Sequence, residues 1–205
     1  MGRPTQIPKE KILDASLKLL IREGHDAIKM SAIAKELHCS TQPISWAFGN
    51  MQNFRRELKK YAQNYVDEKL RPKAKKPLAG FASIGRAYID MAREEPNLLR
   101  YLFADTSYLR DDGGMGEIFL GETHDSMVTQ IADCLHATKE QIERMVLTLV
   151  IFTHGIVMIL LGNPKAFTKE ETDKMLANIG VSLLMSFGYQ REEAIAFYID
   201  EEEEH

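Results

Sequence analysis

The sequence predicts an all-α protein: an N-terminal three-helix bundle followed by a larger helical domain. Three observations carry that expectation. Apolar residues recur at i, i+3/i+4, i+7 through most of the chain, and period-2 alternation bounded by turn pairs is absent. The composition is globular, with 44% hydrophobic and 27% charged residues in 205. The charge is divided unevenly along the chain. Residues 1–76 hold 16 Lys and Arg against 8 Asp and Glu, a net +8, so the remainder must be −12 for the whole to be −4. A chain split in this way has two jobs.

The elements follow in order. Lys9 to Glu23 reads as a helix, with Ile12, Ala15 and Leu19 beside Leu13, Ser16 and Leu20, and Gly24 stops it. Ser31 to His38 is a short helix with Ile33, Ala34 and Leu37 on one side. Cys39-Ser40 is a tight turn, and Thr41 to Phe48 a further short helix with Ser40 as its expected N-cap and Pro43 in its first turn. Gly49-Asn50 breaks the chain, Asn50 caps the next helix, and that helix runs from Met51 to about Leu70. The basic, proline-bracketed stretch RPKAKKP at 71–77 is a boundary. Helices are expected at Leu78–Glu94, Asn97–Tyr108, Glu117–His136, Lys139–Leu161, Lys169–Phe187 and Arg191–Ile199. Thr138 with Gln141, and Thr168 with Glu171, form capping-box patterns. Asp111 to Gly116 reads as a flexible loop.

Residues 31–48, SAIAKELHCSTQPISWAF, outline a helix-turn-helix. Ile33, Ala34, Leu37, Ile44 and Phe48 would pack the pair together, leaving Thr41, Gln42, Ser45 and Trp46 outward near the start of the second helix. Short polar side chains there can reach base edges, and a helix N-terminus favours phosphate. Lys29, Ser31, Ser40 and Asn50, with Arg3 on the basic arm, are placed to contact the phosphate backbone. Trp46 fits either a DNA contact or packing on the fourth helix.

This stretch resembles the TetR (tetracycline-repressor-like) family of transcriptional regulators. The match runs through Ile12-Leu13-Asp14-Ala15-Ser16, Leu19-Leu20, Gly24, Ile33-Ala34, Cys39-Ser40, Ile44, Phe48, Phe54 and Leu58. Departures occur where the family often has Tyr (Ser45), His (Ala47), Lys (Met51) and Gly (His38). The resemblance implies a DNA-binding domain at 1–50 and a ligand-sensing and dimerisation domain at 51–205, with 51–70 as a connecting helix. It implies a cytoplasmic homodimer on a pseudo-palindromic double-stranded operator, acting as a repressor released by a small, mostly apolar effector. It also likens Phe152-Thr153-His154-Gly155 to an aromatic-x-His-Gly signature in some sensing domains.

The second domain is compatible on its own terms. The long helices at 139–161 and 169–187 have wide apolar faces: Met145, Leu149, Phe152, Ile156 and Ile159, then Met175, Ile179, Leu183, Leu184 and Phe187. Pairing them with their two-fold copies, through about 139–187, would give a four-helix interface. Candidate ligand-binding residues are Tyr88, Met91, Tyr101, Phe119, Met127, Phe152 and His154, with Leu102, Ile131 and His124 nearby in sequence.

Other classes find little support. Cys39 and Cys134 make no disulfide framework. The six histidines have no zinc or di-iron spacing, so no metal, cofactor or catalytic residue is expected. GxxxxGK[ST] and GxSxG are absent. The apolar run 145–162 is interrupted by Thr148, Thr153 and His154 and fits a buried bundle helix or a dimer interface better than a membrane span. The alternative reading is a helical-bundle enzyme or small-molecule carrier whose basic end is incidental.

Overall fold

The computed structural model describes residues 7–104 and 123–198, in two compact units. Every regular element among the described residues is helical. The first unit holds residues 7–68 and 95–104; the second holds 69–94 and 123–198. The first compact unit therefore extends beyond residue 50, taking in nearly all of the connecting helix and a separate segment that starts at Glu95.

In the first unit, α1 (Lys9–Glu23) is followed by a 3₁₀ turn (His25–Ala27), α2 (Met30–Glu36), α3 (Gln42–Phe48) and α4 (Met51–Lys69). Ile12, Leu20, Ile33, Ile44, Phe54 and Leu58 are fully buried and form its centre. The Phe48 and Phe54 rings meet edge to face with centroids 5.1 Å apart, a favourable aromatic arrangement. Gly24 ends α1 at φ 85°, donating its N–H to the Leu20 carbonyl. Gly49 ends α3 at φ 77°; both lie in the left-handed region where glycine costs least. Asn50 caps α4, its side-chain oxygen accepting the Asn53 N–H at 2.9 Å. Ser40 does not cap α3. Thr41 occupies the N-cap position with helical backbone angles and makes no side-chain capping bond, so the proline-containing first turn starts without that support.

The expected helix at Asn97–Tyr108 is divided. α6 (Pro96–Leu99) is a single turn that continues as a π-helical turn, Arg100–Ala104. Its polar groups tie it to the first unit. Asn97 donates to the Ile21 carbonyl at 3.1 Å, satisfying an orphan acceptor at the end of α1. The Tyr65 hydroxyl donates to Glu95 at 2.8 Å, and the Tyr101 ring stacks on His25 with centroids 5.6 Å apart.

The second unit contains α5 (Pro77–Glu94), α7 (Thr123–Leu135), α8 (Lys139–Gly162), α9 (Lys169–Ser186) and α10 (Arg191–Ala196). Its core joins Val128, Ile131, Ile142, Met145, Val146 and Leu184. Both expected capping boxes are formed: Thr138 with Gln141 at the start of α8, and Thr168 with Glu171 at the start of α9. Arg93 donates to the Thr168 carbonyl and the Thr172 hydroxyl, both at 3.1 Å, fixing α5 to the start of α9.

α8 is the one helix among the described residues long and apolar enough to cross a membrane, with a mean hydropathy of 2.4 over its most apolar stretch. Half of that stretch is buried within the unit. Met145, Leu149 and Ile156, expected on a dimer face, are buried inside the protomer, and so is Leu184. Of the expected face Ile159 is exposed, and the other outward apolar residues of α8 are Leu147, Ile151 and Met158, with Met185 on α9. Helical periodicity identifies two apolar stripes on α8 but not which one turns inward.

Candidate functional site

The helix-turn-helix is α2, the turn at 37–41 and α3. The turn is built by a Schellman motif: His38 donates to the Lys35 carbonyl at 3.1 Å and Cys39 to the Ala34 carbonyl at 2.9 Å. His38 takes φ 51° to close it. This is the position where the sequence departs from an expected glycine, and the left-handed backbone is the reason a glycine suits it.

Ile44 and Phe48, buried at 0% and 4%, fix the inner face of α3. The opposite face carries Thr41, Gln42 and Trp46, all exposed; Trp46 is 58% accessible. Ser45 is placed differently from expectation. It is half-buried, its hydroxyl directed at the Met30 sulfur 3.5 Å away, so it links α3 to α2. Lys29, Ser31, Ser40 and Asn50 are exposed. Arg3 lies outside the described residues.

Not every basic residue here is a free surface charge. Lys9 pairs with Glu57 at 2.8 Å and sits 5.0 Å above the Phe48 ring. Arg22 bridges α1 to α2 through both carboxylate oxygens of Glu36, and this holds the Glu36 carboxyl below its usual range. These exposed pairs orient the helices and contribute little to stability.

The second unit holds a partly open cavity of about 170 Å³. Small residues one helical turn apart open it, Ala82 and Gly85 on α5 and Ala177 and Gly180 on α9. That i, i+3 pairing of small residues on two helices was a legible signal, and sequence reasoning that sought aromatic and methionine walls missed it. Of the expected ligand-binding residues, Tyr88 and Met127 line the cavity. His154 stands behind the wall, its Nδ1 2.9 Å from the Tyr88 hydroxyl. Burial lowers the His154 pKa and raises that of Tyr88, so at neutral pH both groups stay uncharged and the phenol keeps its proton in the hydrogen bond between them. Met91 is buried and Phe152 half-buried, and neither lines the cavity. Tyr101 belongs to the first unit, where its hydroxyl reaches the Arg55 carbonyl at 3.4 Å. Phe119 and the side chain of His124 lie outside the described residues.

Sequence reasoning also missed Tyr198. Its ring lines the cavity, and its hydroxyl is buried without a hydrogen-bond partner among the described residues. A buried hydroxyl left unpaired costs about 1–3 kcal/mol. Burial pushes its pKa up to about 12, so it remains a proton donor at neutral pH. No group of three or more His, Cys, Asp or Glu among the described residues is disposed to hold a metal ion.

Residues 12–58 match the sequence profile of "Bacterial regulatory proteins, tetR family". No curated protein matches the chain. Among solved structures, a TetR-like transcriptional regulator from Rhodococcus sp. RHA1 is similar at 13% identity, with a TM-score of 0.58 over 93% of this chain and 100% of that one. A tetR-family transcriptional regulator from Streptomyces coelicolor is similar at 15% identity, with a TM-score of 0.60 over 93% and 88%. At such identities the likeness speaks for the fold, while the profile match speaks for the helix-turn-helix itself. Residues 12–58 carry the DNA-binding domain of the TetR family of bacterial regulatory proteins, and the chain as a whole has the all-helical fold of that family's regulators.

Proposed function

We propose that this chain is a homodimeric, cytoplasmic repressor that leaves a pseudo-palindromic operator when a small, mostly apolar ligand enters the second unit. The observation that carries the reading is the outer face of α3. A seven-residue helix is held by Ile44 and Phe48 so that Thr41, Gln42 and Trp46 point to solvent, in a segment with a net charge of +8. Gln42 and Thr41 offer donors and acceptors for base edges, and Trp46 offers apolar surface for a thymine methyl. Lys29, Ser31, Ser40, Asn50 and Arg3 supply phosphate contacts. Ser45 supports α3 from within and is not assigned a base contact.

The exposed stripe of Leu147, Ile151, Met158 and Ile159 on α8 supports self-association, since a second copy would cover it with the same surface. The cavity supports ligand sensing. Its α5 wall continues in sequence into α6, which belongs to the first unit, so the chain joins cavity to head. The ligand need only bind one of two dimer states better than the other.

The test starts from duplex sites selected out of random DNA. Affinity for the selected duplex should fall steeply between 50 and 200 mM salt, roughly a hundredfold or more for a dimer with several phosphate contacts. Gln42→Ala and Trp46→Ala should each weaken it about tenfold while shifting stability by less than about 0.5 kcal/mol. Binding to no duplex, or binding indifferent to salt and to both changes, overturns the reading.

A further inference from the structure

We infer that the cavity of the second unit takes a small neutral molecule of single-ring size bearing one hydrogen-bond acceptor, and that the Tyr198 hydroxyl is the donor that anchors it. The inference rests on the proposed sensing role and assigns the ligand's chemistry.

Size comes first. The cavity measures about 170 Å³, close to the roughly 150 Å³ of an apolar cavity that accommodates benzene. Its walls are apolar, with Ile84, Leu149, Leu176 and Val181 among them. The polar groups on the wall are mostly accounted for: the Thr153 hydroxyl donates to the Leu149 carbonyl at 2.7 Å, and the Tyr88 hydroxyl meets His154. The one charged wall residue, Arg86, is exposed at the rim. A carboxylate seated inside would lose its hydration with no buried cation to replace it.

Tyr198 differs from these. Its hydroxyl is buried, unpartnered and held in the cavity wall, directly over Gly180. A Cβ at position 180 would lie 2.6 Å from that oxygen, so only glycine permits the ring to sit there. The ring is positioned by the end of the chain, where Ala194 is fully buried, Tyr189 donates to the Leu135 carbonyl at 2.9 Å, and Tyr189 packs edge-on against Phe197. A protonated phenol fixed in an apolar wall recovers its desolvation cost by donating to an acceptor, and a ligand seated in the cavity can bring one.

The full-length protein, without DNA, is titrated with acetophenone, ethylbenzene and benzoate, which share a ring and differ in the polar group. Wild type should bind acetophenone. The affinity ratio of acetophenone to ethylbenzene should fall about three- to tenfold in Tyr198→Phe, the worth of one neutral hydrogen bond. Gly180→Ala, which displaces the hydroxyl, should lower that ratio likewise, and melting curves check that both variants fold. Benzoate should bind at least tenfold more weakly than acetophenone. An unchanged ratio in a folded Tyr198→Phe overturns the anchor. Failure of acetophenone and ethylbenzene to bind wild type overturns the size class. Tight benzoate binding lost in Arg86→Gln overturns the neutral class. Because no DNA is present, these outcomes are separate from any failure of the operator-binding reading.

Discussion

The two units solve opposite packing problems. In the first, large side chains such as Ile12, Leu20, Ile33 and Phe54 are buried to 0%, and the elements are tied by capping bonds and ion pairs. In the second, a void opens between α5 and α9, and a tyrosine hydroxyl within it goes unpaired. A surface that must match the spacing of base edges needs a rigid frame. A sensor needs a place that another molecule can complete, and an imperfectly packed interior is such a place.

Truncation on the two sides of this contrast should have the largest and most unequal effects. Phe54 is fully buried against Phe48, and Phe54→Ala should cost about 3–5 kcal/mol, since the dense first unit cannot collapse into the space. Leu176 already faces the void and is half-buried, so Leu176→Ala should cost only about 1–1.5 kcal/mol, half the usual burial contribution. Chemical denaturation of both variants checks the difference. Equal losses would mean that the cavity closes in solution.

The pH dependence should also separate the units. His154, in the second unit, has its pKa lowered by burial below the ordinary 6.5. As pH falls through 6.5, the unfolded chain takes up a proton that the folded imidazole still refuses. Stability from this group is therefore present above about 6.5 and is lost as pH falls toward the lowered folded value. One proton gives at most about 1.4 kcal/mol per pH unit, and solvent screening of the half-exposed ring should keep the slope well below that. His154→Gln should flatten the melting temperature of the second unit between pH 7 and 5.5. An unchanged slope would show that the Tyr88–His154 pair does not govern it.

The all-helical fold, the helix-turn-helix and both capping boxes were legible because each is encoded locally, by spacing and by cap residues three apart. What was not legible depends on choices between equivalent options. α8 carries two apolar stripes, and tertiary packing alone decides that Met145 and Leu149 turn inward while Leu147 and Ile151 turn out. Tyr101 resembles a cavity aromatic in sequence, yet Asn97 and Glu95 bind its segment to the first unit. Ser45 looks outward by periodicity but is drawn inward to the sulfur of Met30. Tyr198 was illegible because its importance comes from what it lacks.

The smallest expected effect compares one local structure placed in both units. α2 ends with His38 at φ 51°, and α7 ends with His136 at φ 49°. The bonds correspond: Cys39 to Ala34 in the first and Ala137 to Ala132 in the second, at 2.9 and 3.0 Å. In each turn a histidine bears the steric cost of the left-handed region, about 1–2 kcal/mol, which glycine avoids at the expense of greater chain entropy in the unfolded state. His38→Gly and His136→Gly should therefore each stabilise the protein by roughly 0.5–1 kcal/mol, measured by chemical denaturation. The two gains should agree within error if the turn geometry alone sets them. A gain at 136 with a loss at 38 would show that the His38 side chain, not its backbone, supports the reading head.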